Sequence, residues 1–404
     1  MKRFFTMNEK TEVNMTIGID KIGFATSQYV LKLQDLAEAR GVDPEKFSKG
    51  LLLNEISIAP LTEDIVTLAA SASNSILTDK EKEEIDMVIV ATESGIDQSK
   101  AAAVFVHGLL GIQPFARSFE IKEACYGATA ALHYAKLHVE NSPESKVLVI
   151  ASDIAKYGVG TPGEPTQGAG SVAMLITQNP RIMAFNNDNV AQTRDIMDFW
   201  RPNYSSTPYV NGMYSTQQYL DCLTTTWDEY KKRYDWTMDD FAAICFHLPY
   251  PKLALKGLRK MMDKNLSQEK KDSLQENFDK SILYSQMIGN IYTGSLFLGL
   301  LSLLENADNL KAGDKIALYS YGSGAVSEFF SGELVEGYEA YLDKERLSKL
   351  KQRTALSVAD YEKVFFEEVQ LDESGSAQFA AYENQDYALV EIVDHQRRYS
   401  KVEK

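Results

Sequence analysis

Cysteine is scarce in this chain: Cys125, Cys222 and Cys245 are its three, spread over 404 residues. They are too few and too far apart for a disulfide framework, and no CxxC pair offers a zinc site, so a reducing compartment fits and a cytoplasmic protein is expected. Long apolar runs are also missing. None approaches the roughly 18 residues of a membrane span, which leaves no spanning segment. Positive charge is in deficit, with Lys+Arg 42 against Asp+Glu 57 and a net charge of −15. Such a surface repels nucleic-acid backbones and anionic lipids, so neither is expected as a partner, and a phosphate-bearing small molecule would need a local basic patch. The opening MKRFFTMNEKTEVN has no apolar stretch of the kind a signal peptide needs. Residues 1–14 are read as a disordered lead-in.

Several motifs are absent too. There is no Walker lysine, no G-x-S-x-G elbow and no H-E-x-x-H zinc helix. Gly158-Val159-Gly160-Thr161-Pro162-Gly163 matches G-x-G-x-x-G in form, but Pro162 and Pro165 block the helix that should follow, so a dinucleotide site is rejected.

What is present is an alternation of short apolar strands with helices. Strands are predicted at 15–24, 86–92, 116–121, 146–152 and 170–177, with helical spacing at 62–76, 99–110 and along the Ala-rich segment after Cys125. After a polar, irregular stretch at 179–208, read as an elaboration outside the core, the rhythm restarts. A helix is expected at 217–234, strands at 241–246, 315–321 and 325–334, and a buried apolar segment at 294–304. The last sixty or so residues read as charged helices and tail. This is an α/β pattern with helices packed on a sheet, and two consecutive α/β halves suggest a duplication, although no residue-level repeat is visible.

Three positions stand out. Cys125 lies between a strand and a helix with Gly127 behind it, where a helix N-terminus lowers a thiol pKa; a buried core cysteine is the equal alternative. His247 ends the strand AAICF before Leu248-Pro249, and strand ends of α/β folds collect sites, yet such a histidine is as often structural. Glu93 follows a buried strand, where it either caps the next segment or acts as a base of raised pKa. Gly322-Ser323-Gly324 suits a close-approach turn able to offer N–H groups.

Longer segments carry a resemblance: MTIGIDKI (15–22), LAEARGVDPEKF (36–47), MVIVATESGID (87–97), GIQPFARSFEIKEACYGATA (111–130), GEPTQGAGSVAML (163–175), DFWRP (198–202), CFHLPYPK (245–252), GNIYTGSLFLGLLSLLEN (289–306) and YSYGSGAVSEFF (319–330). Together they resemble the bacterial-type 3-hydroxy-3-methylglutaryl-CoA synthases of the thiolase superfamily, over Met15 to about Leu371. The resemblance implies a thiolase fold, two similar halves in a five-layered αβαβα arrangement, here divided as 15–178 and 179–404, and a homodimer. It implies a Cys/His/Glu triad on Cys125, His247 and Glu93. It also implies contacts to substrate or coenzyme A at Asp43, Thr166, Ser215, Lys256, Asn290 and Ser323, with Lys252 a further phosphate partner. The implied reaction joins acetyl-CoA to acetoacetyl-CoA through an acetyl thioester, in the mevalonate route to isoprenoids, without metal or nicotinamide cofactor. Two departures from the family pattern, Thr161-Pro162-Gly163 and the segment 203–211, bear on the substrate entrance and on Ser215. A ketoacyl synthase of the same superfamily is the near rival, and Glu93 argues against it. A catalytically dead thiolase-fold binding protein is the rival from another class.

Overall fold

The computed structural model describes residues 16–205, 207–382 and 385–403. The lead-in expected over 1–14 lies outside them.

The first half runs β1 (Ile17–Ala25), β2 (Tyr29–Lys32), α1 (Leu33–Ala39), α2 (Glu45–Ser48), β3 (Glu55–Ile58), α3 (Ile65–Asn74), α4 (Asp79–Glu84), β4 (Ile85–Ala91), α5 (Ala102–Leu110), β5 (Arg117–Ile121), α6 (Gly127–Asn141), β6 (Lys146–Ala155) and β7 (Gly168–Gln178). A connecting segment holds β8 (Met183–Phe185), β9 (Val190–Thr193), β10 (Phe199–Trp200) and β11 (Tyr209–Val210). The second half follows with α7 (Gly212–Tyr234), β12 (Ala243–Phe246), α8 (Pro251–Met261), α9 (Gln268–Ser281), α10 (Ser285–Ile288), α11 (Ser295–Asn306), β13 (Lys315–Gly322) and β14 (Val326–Leu334). The chain closes with α12 (Arg346–Leu350), β15 (Thr354–Ala355), α13 (Val358–Phe366), β16 (Ala377–Gln378), β17 (Tyr387–Val393) and β18 (Gln396–Lys401).

The strands of both halves join in one sheet of order β12-β13-β14-β8-β1-β7-β6-β4-β5, with β9 paired to β14. Period-two alternation divides its side chains between two faces. Met87, Ile89 and Ala91 of β4, Val147, Val149 and Ala151 of β6, and Ala243, Cys245, Ile316 and Leu318 of β12 and β13 share one core cluster with α6 and α11. The intervening Val88, Val90, Leu148 and Ile150 pack instead on α3 and α5, while Ile244, Phe246, Ala317 and Tyr319 pack on α7 and α8. The two portions of this one sheet thus face each other across α6 and α11, and the order α3 and α5, first-half strands, α6 and α11, second-half strands, α7 and α8 is the five-layered thiolase arrangement. Ala128, Ala131 and Ala135 give α6 a small-residue face, so the helix backbone comes close to the strands while burying its stripe completely. Each fully buried aliphatic side chain in such a core contributes roughly 1.5–3 kcal/mol.

The two halves repeat one local pattern. β4 runs parallel to β6, which pairs antiparallel with β7. β12 runs parallel to β13, which pairs antiparallel with β14.

Two readings of the sequence are corrected here. The stretch 179–208 is not peripheral: β8 pairs with both β1 and β14 and forms the seam between the halves. Its strands are too short for periodicity to reveal. The C-terminal region does contain helices, but its end folds into the antiparallel sheet β16-β17-β18. Tyr387 and Leu389 of β17 are buried, the Leu389 N–H donates to Thr62 O at 3.0 Å, and Tyr399 and Arg397 of β18 bond Asp64, the N-cap of α3.

Candidate active site

The C-terminal ends of β4, β6, β12 and β13 meet the N-termini of α6 and the segment leading into α11. Glu93 stands two residues beyond Ala91, and His247 two beyond Cys245, the last strand residues on the central face of β4 and β12. Cys125 lies in the turn between β5 and α6, after Ala124 at φ 41°. Its Sγ–H donates to Glu93 Oε1 at 3.0 Å, so two of the three candidate catalytic residues touch directly.

The loop carrying Glu93 is fixed by a buried carboxylate. Asp153, near the end of β6, accepts on one oxygen from Thr92 Oγ1 (2.9 Å), the Glu93 N–H (2.9 Å) and Ser94 Oγ (2.8 Å). Its other oxygen accepts from the Thr293 N–H (3.1 Å) and Thr293 Oγ1 (2.5 Å). Five donors offset much of the cost of burying this group, and they lock the β4 end to the segment before α11. That segment carries Asn290, whose Oδ1 accepts from the Tyr292 N–H (2.9 Å) and Ser295 Oγ (2.8 Å), and whose Nδ2 donates to Tyr157 Oη (3.0 Å). Asn290 N–H also donates to Thr166 O at 3.2 Å, bringing a second candidate contact alongside. Gly289 makes this approach possible: it sits at φ 85°, and a Cβ there would lie 1.8 Å from Gln167 O.

The Gly322-Ser323-Gly324 turn closes on the nucleophile's loop. A Cβ on Gly322 would meet Glu123 O and Tyr126 N at 2.7 Å, so Ser323 is carried against the residues flanking Cys125. His247 donates its N–H to Tyr319 O at 2.7 Å, continuing the β12–β13 ladder, and its carbonyl accepts from Tyr219 Oη at 2.9 Å. Its ring Nδ1 is buried and has no hydrogen-bond partner among the described residues. Such an orphan is costly unless a ligand completes it.

Burial sets the electrostatics. Desolvation, then the negative charge of Asp153, pushes the Glu93 carboxyl up to about 8, against the hydrogen bond from Cys125 and the nearby charge of Arg201. Desolvation alone brings His247 down to about 3, so its imidazole is neutral. The expected lowering of the Cys125 thiol by its helix N-terminus does not prevail: burial and the adjacent Glu93 push it well above the ordinary thiol value. The resting nucleophile is therefore a thiol held to Glu93.

The remaining candidates lie farther out. Asp43 is exposed and caps the turn into α2 through a bond from the Glu45 N–H (2.9 Å). Lys252 and Lys256 are on α8, whose start is tied to that region by Lys252 N–H donating to Leu51 O at 3.1 Å. Lys256 is exposed and Lys252 half-buried, with Arg259 and Lys260 following on the same helix, a basic rim on an acidic protein. Ser215 is half-buried in the first turn of α7 and makes no side-chain bond to the other candidates among the described residues. Sequence reasoning missed Asp153, Asp198, Tyr157 and Arg201 as individual residues. The signal for Asp153 was a charged residue continuing a buried strand; Asp198 and Arg201 stood inside the DFWRP segment without a role.

Among the described residues no group of three or more His, Cys, Asp or Glu is arranged to hold a metal. None of their helices is long and apolar enough to cross a membrane.

Comparison with known proteins points one way. The family description "Hydroxymethylglutaryl-coenzyme A synthase N terminal" matches residues 13–181, and its C-terminal counterpart matches 189–280 and 259–401. The chain is 54% identical over 360 residues to a hydroxymethylglutaryl-CoA synthase of Enterococcus faecalis, covering 89% of this chain and 94% of that one. It is 32% identical over 374 residues to a polyketide biosynthesis 3-hydroxy-3-methylglutaryl-ACP synthase of Bacillus subtilis, covering 87% and 88%. A crystal structure described as HMG-CoA synthase complexed with CoA superposes with a TM-score of 0.95 at 68% identity, covering 96% of this chain and all (100%) of that one.

Proposed function

Because the chain belongs to the hydroxymethylglutaryl-CoA synthase family and catalyses the condensation of acetyl-CoA with acetoacetyl-CoA, we propose that Cys125, Glu93 and His247 divide that reaction between them. The observation that carries this reading is the 3.0 Å contact between the Cys125 thiol and the buried Glu93 carboxyl.

Cys125 Sγ attacks the acetyl-CoA carbonyl and keeps the acetyl group as a thioester, while its proton leaves with the departing CoA. The N–H groups of Cys125 and Ser323 hold the oxyanion, a role supported by the packing of the glycine turn on the Cys125 loop. Acetylation removes the thiol hydrogen from Glu93. The carboxylate, made basic by its surroundings, then takes a proton from the acetyl methyl. The resulting enolate attacks the ketone carbon of acetoacetyl-CoA. Neutral His247 donates an N–H to that ketone, with Asn290 beside it, and delivers that proton to the new tertiary alkoxide, its ring recovering a proton from solvent. Water then cleaves the thioester and frees 3-hydroxy-3-methylglutaryl-CoA. None of these steps calls on a metal or nicotinamide. Thr166, Ser215 and Ser323 contact the acyl end of the substrates, and Asp43, Lys252 and Lys256 its coenzyme A end, where exposed lysines on α8 can meet phosphates. A carrier-protein substrate, as named for the Bacillus subtilis relative, is less favoured than coenzyme A, because the 54% and 68% identities are to CoA-named synthases.

Intact-protein mass spectrometry tests the nucleophile. Brief mixing with acetyl-CoA should add one acetyl group to Cys125, which disappears when acetoacetyl-CoA is supplied; an adduct persisting in Cys125→Ser would reject the assignment.

The division into halves at 15–178 and 179–404 is supported by the family descriptions, which part between residues 181 and 189. A cytoplasmic setting is supported by three unpaired cysteines. A homodimer is supported by β5, an edge strand paired only with β4 among the described residues. Around it lie Phe115 at 90%, Leu137 at 63% and Tyr134 at 48% exposure, an apolar patch of the kind that marks an interface. Phe115→Glu should shift the sedimentation of the enzyme toward the monomer; unchanged dimers would move the interface elsewhere.

A further inference from the structure

The short run Asp198–Arg201, at the start of the β10–β11 hairpin, touches in turn the elements that make up the site. Asp198 accepts from Tyr321 Oη at 2.7 Å and from the Gly324 N–H at 2.9 Å, anchoring the run to the glycine turn. Phe199 packs on Tyr157, with ring centroids 6.0 Å apart, and on Tyr292 at 6.1 Å. Trp200 turns outward and stacks on Tyr209 of β11. Arg201 then reaches back across the mouth, and its guanidinium donates to the backbone carbonyl of Glu93.

Both backbone polar groups of Glu93 are thus held by charged side chains of opposite sign from outside its own strand. Asp153 of β6 accepts its N–H at 2.9 Å, and Arg201 of the hairpin binds its C=O. No carboxylate among the described residues pairs with Arg201 within ion-pair distance, so its charge is not neutralised by a partner. It lines a cavity of about 540 Å³ together with Glu93, and Lys122 and Lys156 line the same cavity.

We propose that Arg201 is a positioning residue for the condensation step, locking the hairpin onto the Glu93 backbone and setting its positive charge beside the Glu93 carboxyl. The proposal rests on Glu93 being the base. Other charges face that carboxyl: Asp153 from β6 and Glu123 from the turn before α6 make it harder to ionise, and the Cys125 thiol makes it easier by hydrogen bonding. Arg201 opposes the two carboxylates. Without its charge Glu93 would ionise at a higher pH, and less of the base form would be present near neutrality.

The two properties of Arg201 can be separated. Arg201→Gln keeps a donor for the Glu93 carbonyl and loses the charge; Arg201→Lys keeps a charge and loses the planar fork. The readout is the rate at which preformed acetyl-Cys125 is consumed by acetoacetyl-CoA in single turnovers from pH 6 to 10, beside the rate of acetylation. In Arg201→Gln the acidic limb of the condensation profile should move up by about 0.5–1 pH unit, roughly a 3–10-fold loss on that limb, with acetylation and the acetoacetyl-CoA KM within about twofold of the parent. Arg201→Lys should return the limb to within about 0.3 unit of the parent. A limb that stays in place in Arg201→Gln, or a parallel loss of acetylation and condensation, would overturn the proposal and leave Arg201 a hairpin anchor only. Glu93→Gln in the same assay separates the underlying reading: condensation surviving there means that Glu93 is not the base, whatever Arg201 does.

Discussion

The ends of β4 and β12 occupy matching places in the two halves, yet they are built in opposite ways. Glu93 sits in a polar cage, with its N–H on Asp153, its carbonyl on Arg201 and its carboxyl on the Cys125 thiol. His247 is held through its backbone alone, by Tyr319 and Tyr219, and its ring Nδ1 is left without a partner among the described residues. Desolvation drives both groups toward their neutral forms, the carboxyl up to about 8 and the imidazole down to about 3. The difference lies in what else they touch. A cage that already satisfies the backbone and surrounds the carboxyl with charge suits a group that must take a proton on demand. An unpartnered ring suits a group whose partner arrives with the substrate. In the proposed division of roles, two halves with the same local strand pattern supply an acceptor from one and a donor from the other.

The strongest way to break this comparison is to remove each group in turn. Glu93→Gln should lower the condensation rate by about 10²–10⁴-fold while acetyl-Cys125 still forms, because only the methyl proton transfer is lost. His247→Asn should cost on the order of 10²–10³-fold in condensation, again with acetylation retained. Loss of acetylation in step with condensation, measured by quenched-flow mass spectrometry, would dissolve the division of roles.

A smaller effect concerns stability. The Glu93 carboxyl ionises near 8 in the folded protein, against 4.5 for the ordinary group. Its contribution is therefore fully present below the unfolded value and is lost as pH rises through the folded one. Gln at this position cannot ionise. The difference in Tm between Glu93→Gln and the parent should widen in favour of the variant by about 2–5 °C between pH 6 and 9. A constant difference across that range would mean that Glu93 is not desolvated in solution.

The smallest effect tests a further asymmetry, since only the second half carries the basic rim of α8. Lys256→Ala should raise the KM for acetyl-CoA about 2–10-fold, as befits a largely exposed phosphate contact, and leave turnover of a short acyl thioester lacking the nucleotide unchanged. An equal effect on both substrates would remove Lys256 from the coenzyme A end.

Much of this site was legible in the sequence, and the reason is local. Ile85–Ala91 and Ala243–Phe246 read as buried strands, so Glu93 and His247 announced themselves as polar residues just past apolar runs. Cys125 announced itself by standing between the strand Arg117–Ile121 and the Ala-rich helix. The cage around Glu93 was not legible. Asp153 comes from β6, Thr293 from the turn before α11 and Arg201 from a hairpin of two-residue strands, and only the folded chain brings them together. The seam strand β8 was hidden for a related reason: three residues carry no period, and its partners β1 and β14 lie far apart in the chain. The antiparallel sheet at the C-terminus carried no clean alternation either: Tyr387, Ala388 and Leu389 are buried in succession, and the register shifts between Leu389 and Glu391 before Ile392 is buried again.

The most direct test of the central claim, that the two strand ends divide acceptor and donor roles, is proton exchange at the acetyl methyl of acetyl-Cys125 in deuterated water, followed by mass spectrometry in the parent, Glu93→Gln and His247→Asn. The account predicts deuterium entering the acetyl group in the parent and in His247→Asn, and none above background in Glu93→Gln. Exchange that survives loss of Glu93, or that vanishes with loss of His247, would contradict it.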